Sequence, residues 1–177
     1  MARMLILYST TDGHTREICE RLQSVVEGQG HQVTLASVTA HPVPDLQDFQ
    51  RIIIGASIRY GKHSPQLIEF INRNAGILNA RPSAFFSVSV AARKPKNSRP
   101  ETNAYMQAFL RKVSWRPAQL AVFAGKIDYP RYGFFDRLMI RLIMLVTGGP
   151  TDPQAVVDFT DWNQVEAFGR TIGGTEG

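Results

Sequence analysis

The sequence predicts an α/β protein built on a doubly wound parallel sheet, and three observations carry that prediction. Short apolar runs alternate along the chain with segments of helical periodicity. The run Arg51-Ile-Ile-Ile-Gly-Ala-Ser57 is apolar enough to be covered on both faces, as parallel strands are. The first run, Met4 to Tyr8, passes through a hydroxyl-rich loop with a glycine straight into a helix pattern, as strand–loop–helix units do.

The elements follow in order. Met4–Tyr8 is the first strand. From His14 to Gln29, Ile18, Leu22, Val25 and Val26 recur at helix spacing, with Gly28 and Gly30 as the stop. Val33–Val38 is the second strand, and Pro42 and Pro44 mark the loop after it. Residues 51–57 form the third strand, and Leu67, Ile68, Phe70 and Ile71 mark the helix that follows. Ser83–Val90 is the fourth strand, Thr102–Val113 a helix, and Leu120–Ala124 the fifth strand. The last helix opens near Thr160-Asp-Trp162, turns Val165, Phe168 and Ile172 inward, and ends at Gly173. Right-handed crossovers then put the loops at 9–15, 55–61 and 87–97 on the carboxyl edge of the sheet, where such folds bind ligands.

About thirty-five residues separate the fifth strand from the last helix, where a connection of 2 to 6 is usual. The insertion, about 126–152, contains a helix-compatible stretch at 129–146. Phe135, Leu138, Met139, Leu142, Ile143 and Val146 share one side, and Arg137 and Arg141, four apart, share another. Gly148, Gly149 and Pro150 end it. A spanning helix needs about 20 apolar residues, and Asp136, Arg137 and Arg141 interrupt this one. Three roles are open to it: burial against a partner or second copy, core packing, and an amphipathic helix in a membrane interface. Arginines beside a broad apolar face favour the last.

Composition narrows the rest. A chain of 177 residues, 44% hydrophobic, fits a single domain over 1–177, with no internal repeat. The net charge of +5 favours anionic partners. Cys19 is alone, which excludes a disulfide framework or a thiolate metal site, and its place beside Ile18 reads as a packed thiol. No signal-like segment opens the chain, so the cytosolic side is expected. His14, His31, His41 and His63 form no ligand spacing, so no metal is expected.

Three loops carry the chemistry. Tyr8-Ser-Thr-Thr-Asp-Gly-His-Thr-Arg16 offers the hydroxyls of Ser9, Thr10, Thr11 and Thr15 and a close backbone approach at Gly13, at the positive end of a helix. Without a lysine, this loop suits a monophosphate anchor; capping of the helix by its hydroxyls is the alternative. In Gly55-Ala-Ser-Ile-Arg-Tyr-Gly61, two glycines bracket a polar turn whose Tyr60 can stack on a planar ring; an ordinary strand-to-helix turn is the alternative. Ser89-Val-Ala-Ala-Arg-Lys-Pro-Lys-Asn97 opens a stretch with seven basic residues and one acid between Arg93 and Arg116, either an anion site or a solvated face. Aromatics are not interleaved there, so nucleic acid is not expected. His63 is read as a satisfied surface histidine or as a group that moves protons.

These loops resemble those of the flavodoxin family, with five βα units, sheet order 2-1-3-4-5 and FMN at the carboxyl edge. Asp12-Gly13-His14-Thr15 stands where that family has Thr-Gly-x-Thr, so an acid replaces a hydroxyl at a position that can cap the helix. Further motifs, Gly55–Gly61, Ala92-Arg-Lys-Pro95, Ser114-Trp-Arg-Pro117, Tyr129-Pro-Arg-Tyr132, Asp136–Arg141, Gly148-Gly-Pro-Thr-Asp152 and Thr160-Asp-Trp162, are similar to those of quinone-dependent protoporphyrinogen IX oxidases, flavodoxin-like enzymes of haem biosynthesis. That resemblance implies FMN as cofactor, protoporphyrinogen IX as substrate and menaquinone or ubiquinone as acceptor. It assigns FMN to Ser9, Thr10, Thr11, Asp12, Gly13, His14 and Thr15, to Ala56, Ser57, Ile58, Arg59, Tyr60 and Gly61, and to Ser89, Val90, Ala91, Ala92 and Arg93. The substrate's propionates would pair with Arg59, Arg93, Lys94 or Lys96. The helix at 130–146 would rest on the cytoplasmic face of the inner membrane. A flavodoxin-type electron carrier, an NAD(P)H–quinone reductase, a non-catalytic binding module and a homo-oligomer are the other expectations kept open.

Overall fold

The computed structural model describes residues 1–174. Five strands, β1 (Arg3–Ser9), β2 (Gln32–Ser37), β3 (Arg51–Ser57), β4 (Ser83–Ser89) and β5 (Gln119–Ala124), form one parallel sheet in the order β2-β1-β3-β4-β5. All four neighbouring pairs are parallel. The expected order therefore holds, with no strand end shifted by more than one residue.

Two-residue alternation divides the apolar side chains between two cores. Leu5, Leu7, Ile52, Ile54 and Phe85 face one side of the sheet. That side is covered by α2 (Pro65–Arg73), α3 (Ala75–Asn79) and α4 (Ala104–Lys112). Met4, Ile6, Ile53 and Phe86 face the other side, beneath α1 (His14–Gly28) and α6 (Trp162–Gly174). Helix α3 was not expected. Gly173, expected to end the last helix, lies buried inside it. Cys19 lies on the buried face of α1, and burial pushes its thiol well above the ordinary range.

The insertion carries more structure than its sequence promised. Strand β6 (Lys126–Asp128) pairs antiparallel with β7 (Val156–Asp158), and Phe159 N donates to Gly125 O at 3.0 Å beneath the pair. Residues 129–131 form a 3-10 turn, so the expected helix begins later, as α5 (Phe134–Thr147). Ile127, Tyr129, Tyr132 and Met144 make a small core of their own, with Val90 and Phe159 packed against it.

Candidate functional site

At the carboxyl edge, the loops after β1, β3 and β4 meet the insertion around a cavity of about 550 Å³. The first loop supplies Thr10, Thr11, Asp12, His14 and Thr15, the second Ser57 to Gly61, and the third Ser89 to Ala91, Arg93, Lys94 and Lys96. These are the loops that the sequence reading grouped at the carboxyl edge, and the structure brings them to one cavity. Four expected residues lie elsewhere. Ala56 and Ala92 are packed in the core beneath the sheet's edge, because alternation and a 3-10 turn aim them inward. Ser9 and Gly13 are not on the cavity wall, and the Gly13 amide is spent on Thr10 Oγ1 at 2.9 Å.

Residue 13 is also the N-cap of α1 and provides no side-chain cap, so neither Asp12 nor the loop hydroxyls cap the helix as the alternative held. The Asp12 carboxylate instead pairs with Arg59. Burial raises its pKa, and the Arg59 guanidinium works against that rise. Thr15 is 1% exposed and its Oγ1 has no partner. Ser89 Oγ and Arg59 Nη1 are likewise buried without a hydrogen bond. Orphaned buried polar groups are costly and uncommon. Three of them border one cavity, so the donors present fit a polar, anionic group such as a flavin phosphate with its ring.

His14 lines the cavity but is tied down. Its Nε2 lies 2.7 Å from Thr160 Oγ1, which itself donates to Ala124 O, and its Nδ1 lies 3.3 Å from Glu17. The ring thereby joins the first loop to the start of α6. Burial works to raise the pKa of neighbouring Asp158, but hydrogen bonds from Thr160 and the Trp162 indole hold it below the usual range.

The second loop is a miniature hairpin rather than a plain strand-to-helix turn. Arg59 N donates to Lys62 O at 3.1 Å and Lys62 N to Arg59 O at 3.3 Å. Tyr60 and Gly61 at its tip have φ of 53° and 79°, the left-handed pair that a type I′ turn needs. Arg59 lies between two rings, 5.9 Å from Tyr60 and 5.5 Å from Tyr132. The Tyr60 hydroxyl donates to Asp136, and that bond raises its pKa, with burial adding to the rise.

Gly55 serves a different purpose from the one its place in the motif suggested. A Cβ there would sit 2.0 Å from Phe86 Cζ, so the glycine clears space in β3 for a core ring.

His63 is not at the site. Its Nε2 bonds Ser87 Oγ at 2.9 Å, and its ring packs against Phe85 and Phe109. Burial, with a small push from Lys112, lowers its pKa from 6.5 to about 4. It is satisfied, as one reading expected, but buried rather than on the surface, and it cannot reach the cavity to move protons.

The insertion closes the far wall, which sequence reasoning missed. Met139, Ile140, Ile143 and Met144 of α5 line the cavity, with Tyr132, Lys126 and Ile127. The supposed single apolar face is therefore split. Met139 and Ile143 line the cavity, Ile143 while still 40% exposed, and Phe135, Leu138, Leu142 and Val146 are exposed away from it. The arginines also differ from expectation. Arg137 donates to the carbonyls of Tyr129 and Tyr132, and Arg141 Nε to Thr151 O at 2.8 Å, so both are turned into the insertion. Arg93 is similarly engaged, donating to Val90 O and to Thr147 at the end of α5. Tyr105, missed as well, lies under the hairpin on α4; its spacing carries no signal of its own. Among the described residues, no cluster of His, Cys, Asp and Glu is placed to hold a metal.

A parallel five-stranded sheet with a phosphate-type loop after β1 and a cavity over the ends of β1, β3 and β4 defines the flavodoxin class, and residues 5–154 match the family model described as a flavodoxin domain. Oxidised flavodoxin 2 of Bacillus cereus superposes with a TM-score of 0.56 at 16% identity, over 97% of both chains. Within that class the chain belongs to the protoporphyrinogen IX dehydrogenase (quinone) family of oxidoreductases. A relative of that name from Escherichia coli K12 is 46% identical over 170 residues, spanning 96% of this chain and 94% of its own. Another from Leishmania major is 41% identical, spanning 94% of this chain and 72% of its own.

Proposed function

We propose that the chain binds FMN in this cavity and oxidises protoporphyrinogen IX to protoporphyrin IX, with menaquinone or ubiquinone as electron acceptor. The observation that carries the proposal is the cavity's composition: a floor of unpartnered polar groups faced by an apolar wall from the insertion. Such a site suits a flavin phosphate and ring beside a large apolar macrocycle, and the names of the relatives support the same substrate and acceptor. FMN supplies the two-electron redox step when bound. Thr10, Thr11 and Thr15 would hold its phosphate at the start of α1. Met139, Ile140 and Ile143 exclude water and offer the macrocycle an apolar surface.

The propionates fall to Lys94 and Lys96. Arg59 is already paired with Asp12 and Arg93 with Val90 and Thr147, whereas neither lysine has a carboxylate partner among the described residues. The exposed side of α5 rests on a lipid surface in this proposal, at the cytoplasmic face of the inner membrane, where both quinone and substrate partition. No helix among the described residues is long and apolar enough to cross a membrane.

The test is spectroscopic. Protein reconstituted with FMN should lose its flavin absorbance on anaerobic addition of protoporphyrinogen IX and regain it on addition of a quinone. Failure to take up FMN, or reduction by NAD(P)H that outpaces reduction by the porphyrinogen, overturns the proposal.

A further inference from the structure

Four side chains from three distant segments form one chain across the mouth of the cavity. Asp12 comes from the first loop, Arg59 and Tyr60 from the hairpin, and Asp136 from the first turn of α5. Asp12 pairs with one end of the Arg59 guanidinium, and Asp136 Oδ2 lies 3.9 Å from its Nη1. Asp136 Oδ1 accepts the Tyr60 hydroxyl.

Tyr60 has little else to hold it. The residue is 44% exposed, its backbone is left-handed, and among the described residues its ring contact is the Arg59 guanidinium. A ring on a hairpin tip with one polar anchor takes its direction from that anchor. The other polar anchors of α5 lie within the insertion or at the C-terminal end of the helix: Arg137 to the 129–132 turn, Arg141 to Thr151, and Arg93 to Thr147. Asp136 alone joins the N-terminal end of α5 to the hairpin through side-chain bonds among the described residues.

We infer that Asp136 is a positioning residue: by holding Tyr60 and Arg59 it fixes the wall of the cavity that faces the flavin ring, and so makes docking of the insertion and binding of FMN interdependent. The inference rests on the FMN reading above. Coupling of this kind is reciprocal, so whatever the docked insertion adds to FMN affinity, FMN returns as stability of the docked insertion. The flavin thus reports on the state of the helix, and the helix on the flavin.

The test uses the full chain and FMN alone. Asp136→Ala and Tyr60→Phe break the same bond from opposite sides. Each should raise the dissociation constant for FMN about 3- to 10-fold, the range one net hydrogen bond implies. The double variant should be no weaker than the worse single one, since both remove one interaction. In the unaltered chain, FMN should slow amide exchange over 134–147; in Asp136→Ala that slowing should be lost while exchange in β1, β3 and β4 is unchanged. Tyr60→Phe leaves α5 intact, so it decides the matter if Asp136→Ala disturbs the insertion. FMN affinities within twofold of the unaltered chain, additive effects in the double variant, or full retention of FMN-dependent protection would each overturn the inference. An unaltered chain that binds no FMN would instead remove the functional proposal beneath it.

Discussion

In the proposed function, Thr15 pits folding against ligand binding in a single hydroxyl. Its Oγ1 is buried with no partner, a burden on the folded protein that a phosphate oxygen would relieve. Thr15→Val should leave the FMN-free protein as stable or slightly more stable in urea, yet raise the FMN dissociation constant about 10- to 100-fold, as loss of a hydrogen bond to a charged group implies. Loss of stability without loss of affinity would place the hydroxyl's role in the fold instead. His63 gives the opposite case, a polar group that serves only folding. Because its folded-state pKa is about 4 against 6.5 when exposed, the unfolded chain takes the proton first as pH falls. The contribution to stability is full above about pH 6.5 and is lost progressively down to about pH 4, a span worth on the order of 3 kcal/mol. His63→Phe with Ser87→Ala, which replaces both bonded partners, should flatten that part of the curve of urea midpoint against pH and leave FMN affinity unchanged. The hydroxyls of the first loop were legible in the sequence because their spacing after a strand has a mechanism. The inward turn of His63 was not, because it depends on Phe85 and Phe109, which come from other elements.

At the scale of elements, helix α5 shows what periodicity reveals and what it leaves out. The spacing of Arg137 and Arg141 placed them correctly on one side. Which way that side faced depended on carbonyls at Tyr129, Tyr132 and Thr151, in segments with no repeating pattern. The consequence for the proposed lipid contact is direct. The exposed face presents Phe134, Phe135, Leu138, Leu142 and Leu145, while the arginines beside it are already bonded. Flotation with liposomes should therefore be lost in a Leu138→Asp, Leu142→Asp variant that still binds FMN, and should weaken little in the unaltered chain when salt is raised. Binding that collapses in salt would return the arginines to the lipid headgroups. Strand β3 offers a second case. Gly55→Ala drives a methyl group into the Phe86 ring, which is itself locked against Phe123 and Phe168, and should cost about 1–3 kcal/mol in urea unfolding. Sequence placed Gly55 in the strand, but the ring it makes room for belongs to the neighbouring strand.

Across the whole molecule, the two cores on either side of the sheet hold together without the cavity, which gathers loops from one edge only. Ligand at that edge acts on the whole by mass action. FMN at a hundred times its dissociation constant should add about 2.7 kcal/mol, a rise of roughly 5–10 °C in the thermal midpoint for a chain of this size. A midpoint that ignores FMN would mean no site at all. The parallel sheet was legible because each strand's apolar run is followed by a helix, and right-handed crossovers leave few alternatives; the strand order came only with the resemblance to flavodoxins. The ribbon of β6 and β7 was not. Its strands have three residues each, too few to show alternation, and they pair across the whole length of the insertion.

The hydrogen bond from Phe159 N to Gly125 O closes the base of that ribbon, so the insertion leaves and rejoins the sheet at nearly one point. A segment attached in this way behaves as a cassette. Joining Gly125 to Phe159 through a short turn should remove it and leave a minimal five-stranded frame that still folds. The same segment, moved to the equivalent position of another protein of this class, should carry its apolar helix with it. What that transfer does to the recipient's choice of substrate would measure how much of the specificity travels in the insert and how much stays in the frame.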